Sequence, residues 1–423
     1  MRKVMIGLLE LLLWGTMQTA SSATFYVSTA GNDANDGRTP SSPWKTVAKV
    51  NSSTFNPGDS ILFKRGDVWI GRALLPKGVI VPTNGTADNP ITFGAYGTGS
   101  QPVFDWQLDG YGRGFQVQGR HWIVIEGIEI RKFSWGIYIA DFSSNITIRD
   151  CEIHQTGSGS LRLQNNVQNI LIERNRLHHT GLTSVGEGIY VGTNQNQWEG
   201  NPDRTSKVTI RNNTIYNTPG EAVELKAGTR HCLVENNIIH TTPMGIAAAP
   251  DAHDPQPAQD NLHVIKGNRI YNLTGKSNGG NPPYGIAVNL RTDVFQNIIY
   301  AGEGVGIYIL DDKGDGRLRK IYNNTIHNQK VQGIRINTGA NVDLQNNLLW
   351  ANGGSGMLSH DPIFLDPPNG DFRLRSGSPA IDVGVDVGLP FNGATPDLGA
   401  LEFVPEYVAP SMPKNLRVIV NPE

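Results

Sequence analysis

The segment GEAVELKAG, residues 220 to 228, brings together Glu221, Glu224 and Lys226 within six positions. Side chains alternate between the faces of a strand, so Glu224 and Lys226 share one face of such a segment. A lysine set among other cations gives up its proton more readily and can act as a Brønsted base. Glu187, Glu221 and Asp203, with Glu224 beside them, supply oxygen ligands of the kind that hold a hard cation such as Ca²⁺. An ion there would neutralise a substrate carboxylate and acidify the neighbouring C–H, which is what β-elimination from a uronate demands. The plain alternative is an exposed ion pair between Glu224 and Lys226, worth little to stability. Glu187 and Glu221 each stand just before a strand on successive repeats. Carboxylates stacked about 4.8 Å apart repel unless something positive lies between them, which favours a site.

A repeat is what would bring these residues together. Segments such as ILIERNRL from Ile170, VTIRNNTI from Val208, CLVENNII from Cys232, HVIKGNRI from His263 and VDLQNNLL from Val342 share an apolar alternation running into Asn. Aligned on that position they read Ile128, Cys151, Asn175, Asn213, Asn237, Asn268, Asn297, Asn324 and Asn347. A repeat of this length marks a solenoid, and alternation with period two makes its unit a strand. Asparagine on seven successive units predicts a ladder of side-chain amides. The expected fold is all-β, a parallel β-helix.

Each unit carries a second strand that starts at a small residue, as in GIYIAD at Gly136, GIYVGT at Gly188, AVELKA at Ala222 and GIAVNL at Gly285. Its second and fourth positions should point inward, and the third and fifth outward. The outward columns place Tyr190, Glu224, Lys226 and Asn289 on one surface, with Ala247 and Ala249 as a bare floor. Arg162 and Arg291 flank Lys226 two coils away on either side, near enough to neutralise a uronate carboxylate. The insertions 193–206 and 250–261 would form cleft walls, offering Trp198 for ring stacking and His253 for substrate contact. A further column of His154, His178, Tyr216, His240, Tyr271 and Tyr300 mixes imidazoles with phenols, which predicts an aromatic ladder rather than a metal centre.

The chain has 423 residues, 49 glycines and 25 prolines, fitting short strands joined by many turns. A net charge of −2 argues against a nucleic-acid partner. Cys151 and Cys232 read as small buried side chains. Residues 1–23 combine Arg2 and Lys3 with a short apolar run and Ser21-Ser22-Ala23, a secretory signal too short for a membrane span. The expectation is a secreted, extracellular or surface-associated monomer acting on a polysaccharide. Residues 24–111 lack the repeat and read as an N-terminal cap; coils run over 112–360, a C-terminal capping segment over 361–404, and an exposed tail over 405–423.

FYVSTAGNDANDG followed by PWKTVAKVN, and DFRLRSGSPAIDVG ending in DLGALE, resemble secreted bacterial right-handed parallel β-helix proteins of the pectate-lyase-like superfamily. More locally, GEAVELKAG followed by VENNIIH is similar to the active-site coil of the chondroitinase-B and alginate lyase family. That resemblance implies Glu221 as a Ca²⁺ ligand and Lys226 as the base. The family's Arg-His-Gly motif on the next coil is absent, since that coil reads GIAAAP. A glycoside hydrolase using two of Glu187, Asp203, Glu221 and Glu224, or a non-catalytic glycan-binding module, are the alternative expectations.

Overall fold

The computed structural model describes residues 22–405 apart from 76, 109–110, 199, 249–261, 276–281, 311–316 and 355–359. Most of the stretch read as a secretory signal, Ala249, His253 and the tail beyond 405 lie outside the described residues. Three long parallel sheets wrap one core, and the chain visits each sheet once per coil. The first, twelve-stranded, runs from Thr24–Val27 to Val342–Gln345; the second, ten-stranded, from Val79–Ile80 to Gln332–Ile336; the third, eleven-stranded, from Val68–Ile70 to Leu348–Trp350. Like residues stack on like: Ile148, Ile172 and Ile210 are register partners on adjacent strands, and all are fully buried. Each coil buries apolar surface only against its neighbours, as a solenoid requires.

The amide ladder holds the turn between the first and third sheets. Asn237 Nδ2 donates to Asn268 Oδ1 at 3.0 Å and to the Ile210 carbonyl at 2.9 Å. Its own Oδ1 accepts from the backbone and side chain of Asn213, both at 3.0 Å. The same pattern continues to Asn347. The residue before each ladder position is left-handed, with φ of 56° at Asn212 and 56° at Asn236. Asparagine tolerates that region better than other side chains, which explains the Asn-Asn doublets: the first makes the bend and the second makes the ladder.

At the opposite corner the small residue is obligatory. A Cβ on Gly136 would lie 2.3 Å from Ile153 Cγ2, and one on Gly188 would lie 2.7 Å from Ile215 Cγ2. Those isoleucines belong to the third sheet, so the corner glycines let the second sheet close onto it.

The expected N-terminal cap supplies rungs instead. Strands at Thr24–Val27, Ser60–Lys64 and Ile91–Tyr96 begin the first sheet, and Val68–Ile70 begins the third. They lack the Asn turn but keep the alternation, which suffices for pairing. Covering falls to the short helix Val47–Asn51, capped by Thr46. Asn51 bonds both Gly78 O and Ile80 N, occupying polar groups beside the edge strand Val79–Ile80. The C-terminal segment meets the last coils, where Asn346 Nδ2 donates to Val385 O and Ala400 N to Thr325 Oγ1. Phe364, Phe372, Leu374, Ala380 and Ala400 pack with Ile298 and Leu348 of the third sheet, so this segment lies along the solenoid's flank. The aromatic column stacks as expected, with ring centroids 4.7 Å apart for His178–Tyr216 and 4.8 Å for Tyr216–His240. Both cysteines are buried and free. Among the described residues no helix is long and apolar enough to cross a membrane.

Candidate functional site: an acid–lysine cluster on the second sheet

Glu187 precedes the strand Ile189–Val191, and Glu221 opens the next one, Glu221–Leu225. Register pairs Tyr190 with Glu224, and Glu224 with Ala247 on the following coil. The carboxylates of Glu187, Glu221 and Glu224 all come within 4.8 Å of one another. Lys226 Nζ donates to Glu224 Oε1 and sits 5.2 Å above the Tyr190 ring. The guanidinium of Arg162 approaches that same ring at 5.0 Å and the Trp135 ring at 5.3 Å. Tyr284, two coils further on, donates its hydroxyl to Glu221 Oε1 at 3.1 Å. Lys226, Arg162, Tyr190, Glu187, Glu221 and Glu224 therefore converge.

Burial sets the electrostatics. Glu224 is only 2% exposed. Loss of water, reinforced by the Glu221 charge, pushes its carboxyl up to about 8 despite the Lys226 contact. Glu187 is raised for the same first reason, with Glu221 adding to it. Burial and the Glu224 charge also raise Tyr190, so its phenol keeps its proton at neutral pH. Three carboxyls facing one ammonium carry excess negative charge, which either protons or a hard cation can relieve. The all-oxygen donor set suits Ca²⁺.

A pH dependence follows. Glu224 is about 8 in the folded chain and near 4.5 when exposed, so between those values the folded state holds the extra proton. Stability should therefore be fully present below about pH 4.5 and fall as pH rises through about 8. Melting scans from pH 5 to pH 8 without divalent ions should show this decline, and Glu224→Gln should flatten it. An equal slope in the variant would refute the assignment.

Other expected residues lie elsewhere. Asp203 is committed to structure: it accepts from Asn165 N at 2.8 Å, Asn166 N at 2.9 Å, Thr193 Oγ1 at 2.7 Å, Thr205 N at 2.9 Å and Thr205 Oγ1 at 2.7 Å. With both oxygens engaged, it clamps the insertion to the preceding coil and stands outside the carboxylate cluster. Trp198 is buried in the main core, donating Nε1 to Thr193 O at 3.0 Å, so it offers no open stacking face. Arg291 lies on the turn into Thr292–Phe295 of the first sheet, where its charge acts on Asp293. Asn289 is buried and its carbonyl accepts from Arg319. Of the expected alanine floor, Ala247 is covered rather than bare: it buries with Ala287 against Met244, Tyr284 and Leu310.

Trp135 and Tyr284 were not anticipated. Strict alternation would turn the residue before the corner glycine inward. Trp135 and Tyr284 nevertheless lie outside the main core, Tyr284 against Glu221. The signal available was Glu187 and Glu221 themselves, which occupy the same position on their coils.

Fold and cluster define a class: a parallel β-helix carrying a buried acid–lysine group on one sheet face. Residues 25–189 match the family model described as the Pel9A-like right-handed β-helix region, and residues 200–362 match that of the right-handed β-helix region. Together the two matches span most of residues 25–362 and mark the chain as a right-handed parallel β-helix protein, similar to those of the pectate-lyase-like superfamily. Pectate lyase Pel9A superposes with a TM-score of 0.60 at 16% identity, over 90% of this chain and 97% of that one. Alginate lyase from Paenibacillus sp. str. FPU-7 gives 0.53 at 18% identity, over 73% and 96%. GH136 lacto-N-biosidase from Eubacterium ramulus gives 0.56 at 16% identity, over 76% and 68%. These likenesses speak to fold. One stretch of 82 residues is 45% identical to lacto-N-biosidase of Bifidobacterium longum subsp. longum, covering 19% of this chain and only 5% of that relative.

Proposed function

We propose that the protein is an extracellular carbohydrate-active enzyme, a polysaccharide lyase that cleaves a uronate-containing glycan by β-elimination. The observation that carries this reading is the buried Glu224–Lys226 pair beside Tyr190. Burial penalises the charged form of the pair, as the raised Glu224 carboxyl records. Lys226, set against Glu224 and the Tyr190 ring, is the base and acts in its neutral amine form. Its lone pair takes the proton α to the uronate carboxylate. The C–H electrons form the C4–C5 double bond, the C4–O bond breaks, and the departing oxygen takes a proton from the neutral Tyr190 phenol. Arg162 faces the uronate carboxylate from between Trp135 and Tyr190. Glu187, Glu221 and Glu224 would hold Ca²⁺, which when bound neutralises that carboxylate and acidifies the adjacent C–H.

The direct test incubates the protein with pectate, alginate and chondroitin, with and without calcium, and follows the unsaturated chromophore. No absorbance gain on any uronan would reject the lyase reading. The cation part has its own readout. Calcium should raise the melting temperature of wild type and of Asp203→Asn alike, but not of Glu221→Gln. Loss of the shift in Asp203→Asn would place the ion elsewhere.

One observation favours a second reading. A carboxyl held near 8 within 4.8 Å of another carboxylate is also an acid–nucleophile pair, close to the roughly 5 Å separation of retaining glycosidases. Reducing sugar released without unsaturated ends would select it.

A further inference from the structure

On the outer face of the second sheet, cations and aromatic rings alternate coil by coil. The five strands Arg113–Gln118, Trp135–Ala140, Leu161–Leu163, Ile189–Val191 and Glu221–Leu225 are consecutive neighbours in that sheet. In that order they contribute Arg113, Tyr138, Arg162, Tyr190 and, just past the last strand, Lys226; Arg113 is the register partner of Trp135 and reaches the Tyr138 ring by its side chain. Arg113 lies 3.5 Å over the Tyr138 ring. Gln164 joins the next pair: its Nε2 donates to the Tyr138 hydroxyl at 2.7 Å, and its Oε1 accepts from Arg162 Nε at 2.5 Å. Arg162 and Lys226 then share the Tyr190 ring. The row is thus continuous with the cluster and tied together by side-chain contacts.

Neighbouring strands lie about 4.8 Å apart, so the cations recur roughly every 10 Å, and Arg113 stands about 19 Å along the axis from Lys226. An extended 1,4-linked uronan advances by close to one rung per sugar. In its near-two-fold form successive carboxylates point to opposite sides, so every second one faces the sheet. Cation spacing and carboxylate spacing coincide. We propose that the Arg113–Tyr138 pair is a remote subsite that binds a carboxylate four sugar units from the cleaved residue, and that the protein selects long, extended 1,4-linked polyuronates. This rests on the lyase reading for which residue is cleaved, while the binding itself can be measured without turnover.

The experiment is a calorimetric titration of the non-cleaving Lys226→Met protein with uronate oligomers of two, four and six units, with neutral oligomers as control. Adding Arg113→Ala should weaken hexamer binding about tenfold and leave dimer binding unchanged, with a shallower salt dependence for the hexamer alone. Arg113→Gln, which keeps the side chain's length and removes its charge, should behave like Arg113→Ala. Equal losses for all lengths, no loss for the hexamer, or no hexamer binding at all would overturn the subsite. An absence of unsaturated product from wild type would instead defeat the lyase reading and leave the length series to be judged by itself.

Discussion

Lys226→Ala should lower turnover on the preferred uronan by about 10³-fold, within the range for loss of a positioned general base, while the protein stays folded. The fold should tolerate the change because its partner is already poised to become neutral. With Lys226 gone, Glu224 keeps its proton at neutral pH, having been pushed up to about 8 even with the ammonium beside it. A buried carboxylate left charged would instead cost several kcal/mol. Melting temperature and far-ultraviolet circular dichroism check the fold, and initial rates of unsaturated product check the chemistry. Lys226→Arg should not rescue, since a guanidinium remains protonated and cannot accept the substrate proton. A variant that retains a tenth of the wild-type rate would remove Lys226 from the reaction.

The largest effect on stability should come from the amide ladder. Asn237→Ala leaves the Asn213 backbone N–H, one Asn213 side-chain N–H and the Ile210 carbonyl without their present partners, in a place water does not reach. Each orphaned buried group costs about 1–3 kcal/mol, so a total loss of roughly 3–9 kcal/mol is expected. Asn237→Asp should also destabilise, because it removes the donor to Asn268 and Ile210 and buries a charge. Urea unfolding measures both. A change below about 1 kcal/mol, the size of a single replaceable hydrogen bond, would mean that the ladder is decoration on a stack held by its apolar core.

Much of the architecture was legible because a solenoid writes its repeat into the chain. Alternating Ile and Val fixed which face is core, and Asn at one position on seven coils fixed the register. Glu187, Glu221, Glu224 and Lys226 could be placed together for the same reason, since register alone decides which coils are neighbours. The failures have physical causes. Trp135 and Tyr284 escaped because strict alternation assigns the residue before the corner glycine to the core, whereas that corner is filled by isoleucines from another sheet. Asp203 looked like a ligand by residue type, yet its fate was set by backbone amides of Asn165 and Asn166 on the preceding coil. Trp198 and Arg291 were drawn toward the cleft by proximity in sequence, whereas the loop folds the indole inward and the turn hands Arg291 to a different sheet. Segment 24–111 lacked the asparagine signature and still stacked, because pairing needs only backbone and apolar alternation.

The amide stack spans 38 residues between Asn175 and Asn213 and 23 between Asn324 and Asn347, yet its side-chain bonds are 3.0 Å and 2.9 Å. Pitch is thus indifferent to how much chain each circuit contains. Surplus residues bulge sideways and leave every other tread undisturbed. Lengthening or trimming those bulges is a way to redraw the surface around the cluster, by drift or by design, without renegotiating the scaffold.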